Sequence, residues 1–109
     1  MDFSQDLIRG SVVPIVLALV AERPSYGYEI VKTVNARTNG RFEWKEGTLY
    51  PTLHRLEADR LIKASWQTGE SGKKRKYYTL TRRGRSELVR RRGEWREFST
   101  AVDALLVGA

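Results

Sequence analysis

Two short stretches of the sequence hold most of the side chains able to recognise another molecule. The first is EGTLYPTLHRLEADRLI, Glu46 to Ile62. On a helical wheel of about 100° per residue, Leu49, Leu53 and Leu56 form one apolar stripe. Gly47, Pro51, His54, Arg55 and Ala58 then point the other way, with Thr48 and Tyr50 flanking them. A hydroxyl, a phenol, an imidazole and a guanidinium offer donors of four different shapes. Gly47 and Pro51 keep the face between them slim. The second stretch is Lys73, Lys74, Arg75 and Lys76, four consecutive cations beside the turn-like GESGKKR. Such cations repel one another unless an anion screens them. The chemistry on offer is recognition of a polyanion with readable edges: the phosphates and base edges of a nucleic acid.

The same inventory excludes other chemistries. There is no cysteine and only one histidine, so disulfides and thiolate metal sites are excluded, and no carboxylates stand at ligand spacing. No glycine-rich phosphate loop, paired carboxylates or serine-nucleophile signature is present, so no enzyme and no cofactor is expected. Lysine and arginine number 20 against 13 acidic residues, a net charge of +7. That balance suits a nucleic acid or an anionic membrane. An arginine-rich soluble surface gives the same sum, so the position of the charge has to decide. The longest apolar run, Ser11 to Ala21, is too short to span a bilayer. MDFSQDLIRG ahead of it carries two aspartates and one arginine, where a secretory signal needs a positive front. The expectation is a cytoplasmic protein with no membrane partner.

The elements that must position these stretches follow from periodicity. A first helix over residues 4–22 is capped by Ser4 and turns Leu7, Val12, Ile15 and Leu19 inward, with Pro14 kinking it or marking a restart. Ser25 caps a second helix, YGYEIVKTVNART, which TNG closes with Asn39 or Gly40 left-handed. RFEW, residues 41–44, alternates as a stub of strand with Phe42 and Trp44 on one side. The third helix starts near Glu46, with Pro51 in its first turn, where proline is tolerated. LIKASWQT and KYYTLT alternate as a hairpin with Ile62, Ala64 and Trp66 on one face. Thr81 caps a last helix from Arg82 to about Leu106. No repeat or dividing linker interrupts this order.

Three helices, a strand stub and a basic hairpin predict a mainly α (α+β) winged helix-turn-helix over residues 1–80. Its third helix would enter the major groove of double-stranded DNA and its hairpin would lie along the backbone. Thr48, Tyr50, Pro51, His54 and Arg55 are then the candidate reading residues, and Lys73, Lys74, Arg75 and Lys76 the candidate phosphate contacts. Arg82, Arg83 and Arg85 follow the wing and are placed for phosphates too.

Residues 81–109 form a separate dimerisation helix. Leu88, Trp95, Phe98, Val102 and Leu105 are spaced 7, 3, 4 and 3, a heptad-like seam that Arg91 interrupts. A helix of about 25 residues is nearly 40 Å long, so much of it must extend past the small domain. Its expected partner is a second copy, and the helix over 4–22 contributes to the same homodimer.

At this point the residues carry a resemblance. PSYGYEIVKTV, EGTLYPTLHRLEADRLI, RKYYTLTRRG and LVRRRGEW resemble the PadR family of bacterial transcriptional regulators, over about Val12 to Leu105. The short chain is similar to the compact subfamily, which has one dimerising helix after the wing. The resemblance implies a homodimer that binds a pseudo-palindromic operator, usually as a repressor. It assigns the DNA contacts to Thr48, Tyr50, Pro51 and Arg55 and to Lys73, Lys74, Arg75 and Lys76. Tyr26 is expected in the core, and Tyr28 is left open between core and phosphate. Some relatives hold aromatic or drug-like molecules at the dimer centre beside a tryptophan, a position that Trp95 matches. Phe98, Leu7, Ile8 and Ser11 are the neighbours that would complete such an effector pocket. Trp95 fills a dimer seam equally well. Pro14 departs from the family pattern and would reshape the dimer centre. The alternative to a specific regulator is a nonspecific basic, architectural binder, dominated by phosphate contacts.

Overall fold

The computed structural model describes residues 3–108. The outermost limits of the two expected domains, 1 and 109, lie outside the described residues. The chain folds in the order α1 (Gln5–Arg9), α2 (Val12–Glu22), β1 (Ser25–Tyr26), α3 (Gly27–Arg37), α4 (Glu46–Ala58), β2 (Ile62–Thr68), β3 (Lys74–Leu80) and α5 (Arg82–Asp103). A wider π-type turn, Ala104–Gly108, ends it. The winged helix-turn-helix expected from the sequence is present, with the long helix after it.

The expected first helix is two helices. Ser4 caps α1 as predicted, its Oγ accepting from the Leu7 N–H at 3.3 Å. The chain then breaks at Gly10–Ser11, not at Pro14. Pro14 is the third residue of α2, where its missing N–H has no helical partner to lose. The first α2 bond runs from the Ile15 N–H to the Ser11 carbonyl, at 3.1 Å. Proline thus marks the restart. Val12, Val16, Leu17, Leu19 and Val20 carry α2 into the core.

The strand stub lies elsewhere than predicted. Ser25 is not the cap of the second helix; it is buried and pairs with Tyr78, while Tyr26 pairs with Tyr77. The sheet order is β1-β3-β2. Residues 41–44 form no strand. Glu43 takes φ 52°, and this left-handed residue breaks the extended run. Both aromatics still turn inward: Trp44 is buried, and Phe42 meets Phe3 edge-on at 5.4 Å. Asn35 clamps the Trp44 backbone in both directions, donating to its carbonyl at 3.0 Å and accepting its N–H at 2.8 Å. Asn39 and Gly40, with φ of 53° and 76°, end α3 in the left-handed region, as TNG predicts.

The core gathers α2, α3, the inner face of α4 and the roots of the hairpin. Leu17, Ile30, Leu49, Leu53, Ile62 and Val16 are its most enclosed side chains. Thr81 caps α5, its Oγ1 accepting from the Gly84 N–H at 2.9 Å. The same hydroxyl hydrogen-bonds the carbonyls of Arg60 and Leu61. Gly84 rests on the β2 entry so closely that a Cβ there would stand 2.0 Å from the Leu61 carbonyl oxygen. This contact fixes where α5 leaves the domain. Leu88 is buried next to it, and no α5 residue beyond Leu88 is buried within one chain.

Candidate nucleic-acid interface

On α4 the structure keeps the predicted division of faces. Leu49, Leu53 and Leu56 are buried, while Gly47, Thr48, Tyr50, Pro51, His54, Arg55 and Ala58 are exposed. The prediction for Pro51 needs one correction. It is the sixth residue of α4, past the first turn, so it removes a bond that Gly47 would have accepted. Gly47 lies on the exposed face and has nothing within 4 Å of where a Cβ would be. The lost bond therefore falls on the slim, exposed outer crest, not on the core.

The two flanks of that crest differ. Tyr50 and His54 look toward the wing across a cleft of about 320 Å³. Tyr26, Tyr28, Trp66, Lys74 and Arg75 also line it. Gly27 sets the position of Tyr50: a Cβ at residue 27 would stand 3.2 Å from the Tyr50 ring. The glycine of YGY lets the phenol lie across the start of α3. Arg55 belongs to the other flank, in a groove shared with α1 and α5.

The four wing cations do not act as one cluster at the tip. The turn spans 69–73, with Gly72 at φ 81°, so only Lys73 is in it. Lys74, Arg75 and Lys76 belong to β3, and successive strand side chains point to opposite faces. Lys76 is bound to Glu57 of α4 at 3.1 Å, a bond that raises its pKa and ties the wing to the helix. Arg75 stacks on Tyr26, 4.4 Å from the ring centroid, and Tyr26 meets Tyr77 edge-on at 5.2 Å. Lys73 and Lys74 are exposed, as are Arg82, Arg83 and Arg85.

Trp66, expected only on the Ile62 face of the hairpin, and Tyr28, left open between core and phosphate, both belong to this surface. Trp66 shares its face with Ile62 and Ala64 as the alternation predicts. The sheet outruns the core, however, and leaves the indole 67% exposed in the cleft. Tyr28 is half-exposed beside it. Period-two alternation gave the face of Trp66 but not where the core stops.

A second, apolar groove of about 570 Å³ lies between the start of the chain and α5. Leu7, Ile8, Ser11 and Trp95 line it together, joined by Pro14 and Phe42. Phe98 does not line it, and instead tilts against Trp95 at 6.2 Å. Leu88, expected in the dimer seam, is occupied by the core of its own chain, because the Gly84 contact presses the first turns of α5 inward. Trp95, Phe98 and Leu105 are 55%, 58% and 86% exposed, and Val102 is partly exposed. Among the described residues, no helix is long and apolar enough to cross a membrane.

Comparison with known proteins agrees with this architecture. The PadR-like transcriptional regulator family matches residues 16–90. A Lysinibacillus sphaericus protein is 40% identical over 103 residues, covering 94% of each chain. A transcriptional regulator from Clostridium thermocellum superposes with a TM-score of 0.86 at 35% identity, covering 95% of this chain and 98% of that one. A PadR-like transcriptional regulator from Bacillus cereus superposes at 0.82 with 29% identity, covering 94% and 97%. The chain belongs to the PadR-like family of transcriptional regulators. It is a DNA-binding transcriptional regulator, and proteins of this family are not enzymes.

Proposed function

We propose that the protein is a cytoplasmic, homodimeric repressor that reads a pseudo-palindromic operator and releases or tightens it in response to a small aromatic effector. The observation that carries the DNA reading is the exposed crest of α4, slim at Gly47 and Pro51 and flanked by donors, beside a wing with free cations. Thr48, Tyr50, His54 and Arg55 reach base edges and nearby phosphates, with Pro51 between them. Lys73, Lys74 and Arg75 meet the backbone. Lys76 acts through Glu57, holding the wing at its distance from α4.

Homodimerisation is supported by the far part of α5. Trp95, Phe98, Val102 and Leu105, with Leu106 and Val107, form an apolar end that a single chain leaves in water. A second copy presents the same end, and two-fold pairing covers both. The groove of Leu7, Ile8, Ser11 and Trp95 adjoins that end, and its apolar, aromatic wall suits a planar ligand.

Selection of bound fragments from a random DNA pool tests the reading. A two-fold symmetric motif with half-sites about one helical turn apart is the expected result. Absence of any enriched motif, with affinity falling uniformly as salt rises, would return the protein to the class of nonspecific basic binders.

A further inference from the structure

We propose that α4 is a ridge between two DNA backbones, and that Arg9 and Arg83 hold the backbone on the side away from the wing. This rests on the reading of α4 as the helix that enters the major groove. An α-helix with its side chains is about 10–12 Å across, and the major groove is about 12 Å wide. A helix seated there has a phosphate wall on each flank. Cations on the wing side alone would leave the second wall without a partner.

The two flanks can be read from the wheel. At about 100° per residue, His54 and Arg55 stand on opposite sides of the crest formed by Gly47, Pro51 and Ala58. His54 lines the wing cleft, and Arg55 lines a separate groove of about 740 Å³. That groove is bounded by α4, the α1–α2 break and α5, and five arginines line it against two carboxylates. One carboxylate, Glu87, is held by Arg90 and Arg91 at 2.7 Å each. It therefore neutralises its own helix and leaves Arg55 and Arg83 to other partners. Arg55 and Arg83 make no ion pair among the described residues, and Arg9 has only a loose contact of 3.6 Å to Asp6, with both side chains well exposed. The other carboxylate, Asp59, caps the far end of α4 and would repel phosphate there. The favourable path for a backbone thus runs past Arg83 and Arg9, with Arg55 between it and the bases. A row of exposed cations along a ridge, none held by a close ion pair, complements a chain of phosphates, so the groove is assigned to DNA and not to a small free anion.

The test compares the salt dependence of operator binding for the wild type, Arg9→Ala/Arg83→Ala and Arg9→Lys/Arg83→Lys. Each phosphate contact contributes about 0.9 to the slope of log K against log salt. The alanine pair should lose about 1.8 from the slope per protomer, about 3.6 for a dimer on its two half-sites, and the lysine pair should keep it. Phosphate-ethylation interference should then show two backbone patches in the wild type, with the one farther from the wing lost in the alanine pair. Added inorganic phosphate should compete no better against the wild type than against the alanine pair; selective competition would assign the groove to a free anion and overturn the proposal. A wild type that selects its operator while the alanine pair keeps both slope and interference pattern overturns the proposal alone. A wild type that selects no operator overturns the function reading, and the proposal with it.

Discussion

Arg55 and Gly84 act at opposite ends of the residue scale, one by what it reaches and the other by what it lacks. Arg55 is exposed on the α4 flank and makes no ion pair among the described residues, so its guanidinium is placed to fork onto a base edge. Arg55→Ala should cost about 1–3 kcal/mol of operator binding while leaving nonspecific binding less affected. Equal losses on both DNAs, read by titration at one salt concentration, would remove Arg55 from base recognition. Gly84 has no room for a methyl group, because its Cβ would meet the Leu61 carbonyl oxygen at 2.0 Å and the Leu80 side chain at 2.8 Å. A backbone carbonyl does not move aside cheaply. Gly84→Ala should therefore destabilise by about 3 kcal/mol, at the upper end of overpacking costs, and lower Tm by on the order of 10 °C. An unchanged melt would mean that α5 can shift its exit. Glu87 supplies a pH signature. Its hydrogen bonds to Arg90 and then Arg91 hold its pKa at about 2, against an ordinary 4.5. A depressed carboxylate stabilises fully above its unfolded value and loses that contribution as pH falls through its folded value. Acid unfolding between about pH 4.5 and 2 should be shallower in Glu87→Gln than in the parent; parallel curves would show that the pair contributes nothing.

At the scale of elements, the wing and α4 are one unit because Lys76 and Glu57 join them. Of the other wing cations, Arg75 lies over the Tyr26 ring, and Lys73 and Lys74 are the exposed pair. Lys73→Ala with Lys74→Ala should lower the salt slope by about 1.8 per protomer, about 3.6 for the proposed dimer, whereas an unchanged slope would place the wing away from the backbone. Periodicity made most elements legible: the Leu49–Leu53–Leu56 stripe, the hairpin alternation, and the Ser4 and Thr81 caps. Each depends on neighbours a few residues away. What could not be read depends on distant partners. The Ser25–Tyr26 strand exists because Tyr77 and Tyr78 lie beside it, and Ser25 by itself looks like a helix cap. Pro14 announced a kink or a restart and marks the restart, but the break itself lies at Gly10–Ser11, since a proline in a first turn loses no bond. The candidate site was legible in its residue types and less so in its grouping. Nothing in KKRK says that its last lysine answers to Glu57, or that Trp66 and Tyr28 share the cleft with Tyr50 and His54.

The whole molecule measures 54 × 32 × 20 Å, long because α5 leaves the domain after Leu88. A helix that continues for fifteen residues beyond its last buried side chain, to Asp103, is stable only if something covers its apolar end. The heptad spacing named five seam positions, and the first of these, Leu88, belongs to the domain's own core. The proposed seam therefore begins at Trp95, which also lines the groove with Leu7 and Ser11. On the proposed function Trp95 would serve assembly and ligand together, and the two roles separate by substitution. Phe98 lies outside the groove, so Phe98→Asp should yield a monomer in sedimentation velocity while each chain keeps its fold. Trp95→Ala should loosen the dimer less than Phe98→Asp and abolish the tryptophan quenching that a planar aromatic ligand produces, since Trp44 is buried away from the groove and Trp66 is on the wing. A Phe98→Asp protein that still sediments as a dimer would move the interface off α5. A Trp95→Ala protein that dimerises and quenches like the parent would leave Trp95 with neither role, and the groove would then be a fold between helices and not a binding site.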